Sequence, residues 1–237
     1  MISVAIVGAT GRMGQLTKDI VDSDPNLKLH AALDSKSDKA SMLGADVVVD
    51  FTNPEISEQI VDFAVTNGLK ILVGSSGWSE VKLAGVEKKL TGTSAAVVVV
   101  PNFSIGSMLA QRFAGEAARY FHQAEIIETH HAGKKDSPSG TAIRTAEVIG
   151  KNRSQTNFVV DASQPARGKS ISGVPIHSVR LPGVSARQET IFAADSEQLK
   201  IEHDVTSHRA YSLGILRSIE FTATASGLTV GLEKVIA

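Results

Sequence analysis

The sequence predicts an α/β protein in which a doubly wound parallel sheet domain precedes an α+β domain with a mixed, open sheet. In residues 1–102, short apolar runs alternate with segments of helical spacing, which is typical of a parallel sheet covered by helices. In residues 103–209, strand-like runs follow one another with few helices between them, which favours an antiparallel or mixed sheet. The length of 237 residues also suits two modest domains, because cores tend to split into units of ~100 to 150 residues.

The elements of the first half are predicted by apolar runs and by the residues that interrupt them. A β-branched run, a glycine-punctuated turn at 8–14 and a helical segment form the first strand, turn and helix. Pro54 and Gly68 limit a later helix, and Pro101 closes a valine-rich strand. The predicted strands are residues 2–7, 27–33, 45–51, 69–73 and 95–100, and the predicted helices are residues 15–23, 55–67 and 79–90.

The second half has a different pattern, with more strands than helices. The predicted helices are residues 105–121 and 141–149, and the predicted strands are residues 124–129, 174–181, 189–194 and 198–203. Residues 151–172 are polar and contain glycine, serine and proline, so we interpret them mainly as a flexible connection. A further helix is predicted at 210–221, but periodicity alone does not show which domain this last segment joins.

Composition excludes several classes of function. The 24 basic and 25 acidic residues nearly cancel, so net charge gives no general attraction to nucleic acid or to an anionic membrane. The chain contains no cysteine, which excludes disulfides and thiol catalysis and fits a reducing cytoplasm. The apolar run at the N-terminus meets a glycine at residue 8, too soon for a signal sequence or for a membrane span of ~20 residues. We therefore expect a cytoplasmic protein with no nucleic-acid or membrane partner.

A glycine-rich loop separates the first strand from the first helix. Its residues are Gly8, Ala9, Thr10, Gly11, Arg12, Met13 and Gly14. Glycines permit a tight turn there and let backbone amides approach a pyrophosphate at the helix N-terminus. Thr10 stands where the usual fingerprint has its second glycine, so the loop alone is weak support. Asp34 strengthens it, because an acid at the end of the second strand accepts hydrogen bonds from an adenosine ribose. We prefer a dinucleotide site to the alternative of a bare strand-to-helix turn.

Charges near Asp34 bear on the choice of dinucleotide. Asp34 would repel a 2′-phosphate, whereas Arg12 and Lys36 would neutralise one. We therefore expect NADH to be preferred without excluding NADPH. Phe51 and the loop Gly74, Ser75 and Ser76 follow later strands at the same carboxyl edge, where open α/β sheets bind ligands. On position alone, ordinary loop residues are an equally good interpretation of these two segments.

The stretch from Glu128 to Ala142 contains the densest set of reactive side chains. His130 and His131 end a strand and point to opposite faces, so at most one of them easily shares a given pocket unless the strand end turns. Histidine moves protons near neutral pH. A metal site would need Glu128, Asp136 or His203 as further ligands, but no recognised metal spacing is present, and we expect no metal.

A carboxylate site is predicted just beyond these histidines. Ser139, Gly140 and Thr141 precede a predicted helix, whose free N-terminal amides and neighbouring hydroxyls suit an anion. Lys134 and Lys135 lie upstream as cations. The alternatives are a simple N-cap for the hydroxyls and a solvated turn for the lysines.

At this point the sequence resembles the dihydrodipicolinate reductase family. The resemblance rests first on His130, His131 and Lys134 followed by the run Asp136–Ala142, and it extends over residues 4 to about 235. The other matching segments are the loop 8–14, residues 50–52, residues 101–103, residues 176–181 and residues 188–189. Two departures are small: Ser75 and Ser76 replace a commoner pair of threonines, and Val100 replaces an alanine.

The resemblance implies a reductase that uses NADH or NADPH to reduce a small cyclic dicarboxylate made from aspartate semialdehyde and pyruvate. It implies that His130 and Lys134 handle the proton and that His131, Lys134, Ser139, Gly140 and Thr141 contact the substrate. The cofactor would be lined by residues 8–13, Asp34, Lys36, Phe51, Gly74, Ser75, Ser76, Val100, Pro101, Asn102 and Phe103.

The resemblance also implies the architecture. It predicts a Rossmann-like domain of residues 1–102 and 210–237, to which the last segment returns. Residues 103–209 are then expected to bind substrate and to build a homotetramer through their open sheet.

Three alternatives remain at the level of the sequence. Another two-domain nicotinamide oxidoreductase, acting on an amino acid or a sugar, shares the first half but does not explain the hydroxyl site beside His130. An NAD-sensing regulator would need a partner-binding or DNA-binding element, and the chain has no basic recognition helix. A lyase would use Lys134 as a Schiff-base nucleophile.

Overall fold

The computed structural model of the protein describes residues 1–153 and 164–236. The chain forms two compact units. The first unit comprises residues 1–105 and the C-terminal segment from residue 211, and the second comprises residues 106–210.

The first unit contains a parallel sheet covered by helices. Its strands are β1 (Ile2–Val7), β2 (Leu27–Leu33), β3 (Val47–Asp50), β4 (Lys70–Val73), β5 (Ala96–Val99) and β11 (Gly227–Val230). Its helices are α1 (Arg12–Ser23), α2 (Pro54–Thr66), α3 (Glu80–Leu90), α6 (Ser212–Thr224) and α7 (Leu232–Val235). Within the described residues the strand order is β11-β5-β4-β3-β1-β2, and every pair is parallel.

Continuous valine runs form these strands because both faces of the sheet are buried. Val97 and Val99 of β5 lie in the apolar cluster that also contains Ile60 of α2 and Val86 of α3. Val98, between them, is equally buried and lies on the opposite face. The strand order places β2 and β3 on the two sides of β1, which creates a topological switch point at the carboxyl ends of β1 and β3.

The second unit is a mixed sheet with helices on one face. Its strands are β6 (Gln123–His131), β7 (Lys169–Ile171), β8 (Val174–Leu181), β9 (Ala186–Ala193) and β10 (Gln198–Val205), and its helices are α4 (Ile105–Ala117) and α5 (Gly140–Asn152). In the described part of the chain the order is β10-β9-β6-β8-β7, and β6 with β8 is the parallel pair. Apolar residues of α4, α5 and the sheet form the core, with Phe192 fully buried in it.

The predicted fold class is confirmed, with several local differences. Helix α1 starts at Arg12 rather than at residue 15, so Gly14 lies inside its first turn. The segment 151–172 is not simply a connection: its first two residues complete α5 and Lys169–Ile171 forms β7 against β8. Residues 154–163 of that predicted connection lie outside the described residues. The last segment joins the first unit, where β11 pairs with β5.

Candidate active site

The loop after β1 closely approaches the end of β3. Gly8 has φ of +79°, and a Cβ at this position would lie 2.7 Å from the carbonyl oxygen of Phe51. A Cβ at Gly14 would lie 2.2 Å from the carbonyl oxygen of Gly8. Larger residues would therefore push the loop away from β3 or from α1. These two glycines are required by backbone approach, as the dinucleotide interpretation predicts.

The N-terminus of α1 is open to an anion. Gly11 occupies the N-cap position and provides no side-chain cap. The first-turn amides of a helix lack intrahelical partners. They lie at the positive end of the helix dipole, which attracts phosphate. Thr10 and Arg12 are exposed beside this turn, whereas Ala9 is buried.

Asp34 lies on the surface at the end of β2, where its carboxylate organises the following turn. Its Oδ1 accepts hydrogen bonds from the Lys36 backbone amide at 2.9 Å and from the Ser37 hydroxyl at 2.8 Å. The bond from Lys36, followed by that from Ser37, holds the pKa of Asp34 below its usual value. Asp34 is therefore ionised at neutral pH and available as an acceptor.

The remaining residues predicted to line the cofactor divide into buried and exposed groups. Phe51 and Phe103 make an edge-to-face contact with centroids 5.5 Å apart, and a Cβ at Gly74 would collide with both rings. The Ser75 hydroxyl is buried and donates to Ser57 at 2.6 Å, so Ser75 supports the loop from inside. The side chain of Val100 is also buried. Those of Ser76 and Pro101 are exposed, and that of Asn102 is half-buried.

Strand β6 separates the two adjacent histidines. Glu128 and His130 lie on the face that carries the core, whereas His131 lies on the other face and is exposed. This is the alternation that the sequence predicts. His130 is therefore the histidine that joins the other polar groups of this face.

Glu128 is the centre of a buried polar network. Its Oε2 lies 2.5 Å from His130 Nδ1, and its two oxygens accept from Arg180 Nη1 and Nη2, each at 2.9 Å. The backbone amide of Ser139 donates to Oε1 at 3.2 Å. Burial would raise the pKa of Glu128, but hydrogen bonds from Arg180, Ser178 and His130 outweigh it and keep the pKa below its usual value.

The surroundings of His130 favour its neutral form. Burial is the largest influence and lowers its pKa, while contact with Glu128 acts in the opposite direction. The positive charges of Lys134 and Arg180 lower the pKa further. The proton on this ring is therefore held weakly.

The loop after β6 brings Lys134 to the same region. Lys134 Nζ donates to both carboxylate oxygens of Asp136, at 2.7 and 2.8 Å. Arg180 Nη2 donates to the Asp136 carbonyl at 2.8 Å, which connects this loop to Glu128. Lys135, next in the chain, is exposed.

The residues of the predicted carboxylate site lie at the N-terminus of α5. The Ser139 hydroxyl accepts from the Ala142 amide at 3.2 Å and is therefore used as the N-cap. It also lies 3.1 Å from the Thr141 hydroxyl. Gly140 is exposed and Thr141 is half-buried, so they are accessible where Ser139 is not.

No metal centre is visible in the parts of the chain that the structure describes. Residues 1–153 and 164–236 contain no group of three or more acidic or histidine side chains arranged to hold a metal ion. The same residues contain no helix long and apolar enough to cross a membrane.

Sequence reasoning missed the central roles of Glu128 and Arg180. Glu128 was weighed only as a metal ligand, although its spacing of two from His130 puts both on one strand face. Arg180 is 52 residues away from Glu128 in the chain, and only the parallel pairing of β6 with β8 brings it opposite His130. The first relationship was available from periodicity, and the second required the sheet register.

Known proteins resemble both halves of the chain. The family "Dihydrodipicolinate reductase, N-terminus" matches residues 2–103, and "Dihydrodipicolinate reductase, C-terminus" matches residues 106–236. A 4-hydroxy-tetrahydrodipicolinate reductase of Clavibacter sepedonicus is 46% identical, over 99% of this chain and 86% of its own length. One from Corynebacterium urealyticum is 39% identical, over 99% and 98% of the two chains.

Solved structures resemble the fold. Dipicolinate-bound dihydrodipicolinate reductase from Paenisporosarcina sp. TG-14 superposes with a TM-score of 0.87 at 32% identity, covering 99% of each chain. An apo scyllo-inositol dehydrogenase from Lactobacillus casei has a TM-score of 0.60 at 11% identity, covering 100% of this chain and 92% of its own. The second likeness shows the fold alone.

Proposed function

Because the chain belongs to the dihydrodipicolinate reductase family, we propose the residues by which it performs that family's reaction. The chain is an NAD(P)H-dependent oxidoreductase that reduces 4-hydroxy-tetrahydrodipicolinate in lysine and diaminopimelate biosynthesis. Residues 1–102 and 210–237 are proposed to bind the dinucleotide. Residues 103–209 are proposed to bind the substrate and to build the oligomer.

The first unit has features that fit a dinucleotide. A Cβ at Gly8 or Gly14 would collide with a backbone carbonyl oxygen, so these glycines keep the loop close to β3 and α1. The uncapped first turn of α1 offers amides to a pyrophosphate. Asp34 accepts from the adenosine ribose, and Arg12 and Lys36 supply the charge that a 2′-phosphate needs. The side chains of Val100 and Phe103 are buried, so contacts from this segment come from its backbone and from Pro101 and Asn102.

The second unit holds the substrate through its carboxylates. The relative from Paenisporosarcina binds dipicolinate, a planar ring with two carboxylates. The N-terminal amides of α5, with Gly140 and Thr141, receive one carboxylate, and Lys134 attracts the other. His131 lies on the opposite face of β6 from His130, so its proposed contact with the substrate depends on the turn that follows the strand end. Ser139 acts indirectly, by capping the helix that offers the amides.

The chemistry requires a proton at the ring that is being reduced. A nicotinamide held by the first unit would supply a hydride to the unsaturated ring, which the 4-hydroxy substrate forms when it loses water. His130 donates the matching proton, and Lys134 stabilises negative charge beside it, so that overall one hydride and one proton enter and the 4-hydroxyl leaves as one water. The weakly held proton of His130 suits this role, because a lowered pKa makes the imidazolium a better acid.

The assembly and the location are also proposed. One face of the second sheet is covered by α4 and α5, and the other presents apolar side chains among ion pairs, which suits pairing of sheets in a homotetramer. The absence of cysteine fits the cytoplasm.

The observation that best supports this proposal is that Glu128 gathers His130, the loop of Lys134 and the N-terminus of α5 on one face of β6. The test follows NADH absorbance with freshly condensed aspartate semialdehyde and pyruvate. We expect NADH oxidation that requires both precursors. Oxidation by either precursor alone, or none with the mixture, would contradict the proposed substrate.

A further inference from the structure

Glu128 is a fully buried carboxylate that the reaction itself does not consume. It lies in the middle of β6 with 0% exposure, and it stays ionised because its pKa is held below the usual value despite its burial. A buried charge is tolerated only where hydrogen bonds and an opposite charge compensate it. The partners of Glu128 therefore show what the charge is used for.

Each partner of Glu128 leads to a different part of the proposed active site. His130 is the proton donor, and its Nδ1 lies 2.5 Å from Oε2. The Ser139 amide is the start of the helix that receives a substrate carboxylate. Arg180 bonds both Glu128 oxygens and the carbonyl of Asp136, which lies two residues after Lys134.

The contact with His130 fixes the tautomer of the ring. An ionised carboxylate only accepts hydrogen bonds, so Nδ1 must carry the hydrogen in this 2.5 Å contact. Nε2 is then the nitrogen that gains and loses a proton. In metal and hydrolase sites, a carboxylate behind a histidine orients the ring and sets its tautomer in the same way.

We propose that Glu128 is the positioning residue of this site, which holds a hydrogen on Nδ1 of His130 so that Nε2 is the nitrogen that takes up a proton and delivers it to the substrate. Arg180 completes the arrangement by neutralising Glu128 and fixing the loop of Lys134. This inference rests on the proposed role of His130. Glu128 and Arg180 act through their neighbours and do not contact the substrate directly.

The charges around His130 predict how its titration changes when Glu128 is neutralised. The titratable and charged groups on the surrounding elements are Glu128, Arg180, Lys134 and Asp136, with His203 on the same face of β10. Glu128 raises the pKa of His130, whereas Arg180 and Lys134 lower it. Replacing the carboxylate by an amide removes the raising influence and leaves burial, which is the largest lowering influence, together with Lys134 and Arg180.

The direction of the pH effect follows. A general acid must be protonated, so activity is lost as pH rises through the pKa of His130. If that pKa falls further, the loss begins at lower pH. Glu128→Gln should therefore move the alkaline limb of kcat/KM to lower pH by roughly one unit.

The test compares matched variants of the full-length enzyme. Glu128→Gln removes the charge, and Glu128→Asp keeps the charge but shortens its reach. Glu128→Gln with Arg180→Met removes both members of the buried pair and so leaves no unpaired buried charge. Glu147→Gln removes an exposed acid of the same unit, paired with Arg144, as the control. The measurements are kcat and KM, NADH affinity, the pH profile, and the imidazole ¹⁵N shifts of His130.

We expect Glu128→Gln to lower kcat at least ~10-fold, as loss of an orienting partner does, with NADH affinity unchanged. The ¹⁵N shifts should change from the Nδ1–H pattern to a mixture of tautomers. Glu128→Asp should lower kcat but keep the alkaline limb in place, and Glu147→Gln should match the wild type. If Glu128→Gln does not fold, the double variant decides, with the same loss of kcat and the same mixed tautomers expected.

Two results would overturn the inference. One is a lower kcat at every pH with an unmoved limb and an unchanged Nδ1–H pattern, which would make Glu128 purely structural. The other is wild-type kcat in Glu128→Gln or in the double variant. Failure of the proposed function is separate, because it appears as normal kcat in His130→Ala, whereas the tautomer is read without turnover.

Discussion

Single residues determine how near the backbone comes to a ligand in the first unit. Gly8 and Gly14 have no room for a Cβ because carbonyl oxygens of Phe51 and Gly8 occupy the space. Their spacing predicted this from the sequence, since glycines in a strand-to-helix turn serve close approach. The internal role of the Ser75 hydroxyl was not predictable, because it depends on Ser57 from the neighbouring helix.

The first residue-scale prediction concerns the choice of dinucleotide. Asp34→Ala should weaken NADH binding by roughly tenfold or more, because hydrogen bonds from the ribose to a charged group are lost. Lys36→Ala should weaken NADPH binding more than NADH binding, because it removes a cation near the 2′-phosphate. Titration calorimetry with both dinucleotides measures these affinities.

The controls separate ribose binding from the local turn. Asp34→Asn keeps an oxygen that can accept from the Lys36 amide and the Ser37 hydroxyl, and so isolates the charge. Asp22→Ala removes an exposed acid of α1 that pairs with Lys18. An Asp34→Ala protein with wild-type affinity for NADH would remove Asp34 from the cofactor site.

Elements bring together what single positions cannot. Strand β8 is predicted with its observed bounds, because β-branched and other apolar residues recur along the whole run from Val174 to Leu181. Strands β7 and β11 were missed, since both are short and gain their structure from pairing with β8 and β5. The bond between Glu128 and Arg180 likewise depends on the register of β6 with β8, which no local pattern encodes.

The element-scale prediction concerns the N-terminus of α5. Pyridine-2,6-dicarboxylate should inhibit competitively with the substrate, because it presents two carboxylates to the helix amides and to Lys134. Thr141→Ala should weaken this inhibition about tenfold, the usual effect of losing a hydrogen bond to a charged group. Inhibition constants measured at several substrate concentrations test both statements.

A conservative variant is the control for this prediction. Thr141→Ser keeps the hydroxyl, so pyridine-2,6-dicarboxylate should inhibit this variant with the wild-type inhibition constant. If pyridine-2,6-dicarboxylate inhibits the Thr141→Ala enzyme with the wild-type constant, the carboxylate site lies elsewhere than at this helix.

At the scale of the whole molecule, the resemblance to a family supplied what periodicity did not, namely the return of the last segment to the first unit. That segment adds β11 beside β5, and α6 packs Gly214 against the carbonyl of Phe103. On the face of the second sheet opposite α4 and α5, the side chain of Leu181 is 48% exposed, and Val179 and Ile127 lie on the same face. An apolar face of this kind suggests a partner.

The assembly prediction is a homotetramer at micromolar concentration, measured by light scattering as four times the mass of one chain. Val179→Asp should shift the mass to smaller species, because it places an unpaired charge in the proposed interface. Arg144→Asp, on the exposed side of α5, is the control and should leave the mass unchanged. A wild-type protein that scatters as a monomer would count against the tetramer.

The most direct test of the proposed chemistry measures kcat and KM separately for His130→Ala and Lys134→Ala, with Lys135→Ala as the matched control. Each of the first two should lower kcat by roughly 10² or more, the usual loss for a general acid, while NADH affinity stays at the wild-type value. Lys134→Ala should also raise KM, because Lys134 attracts a substrate carboxylate. Lys135→Ala should behave as the wild type. Normal kcat in Lys134→Ala, or normal kcat/KM in His130→Ala between about pH 6 and 9, would remove that residue from the mechanism.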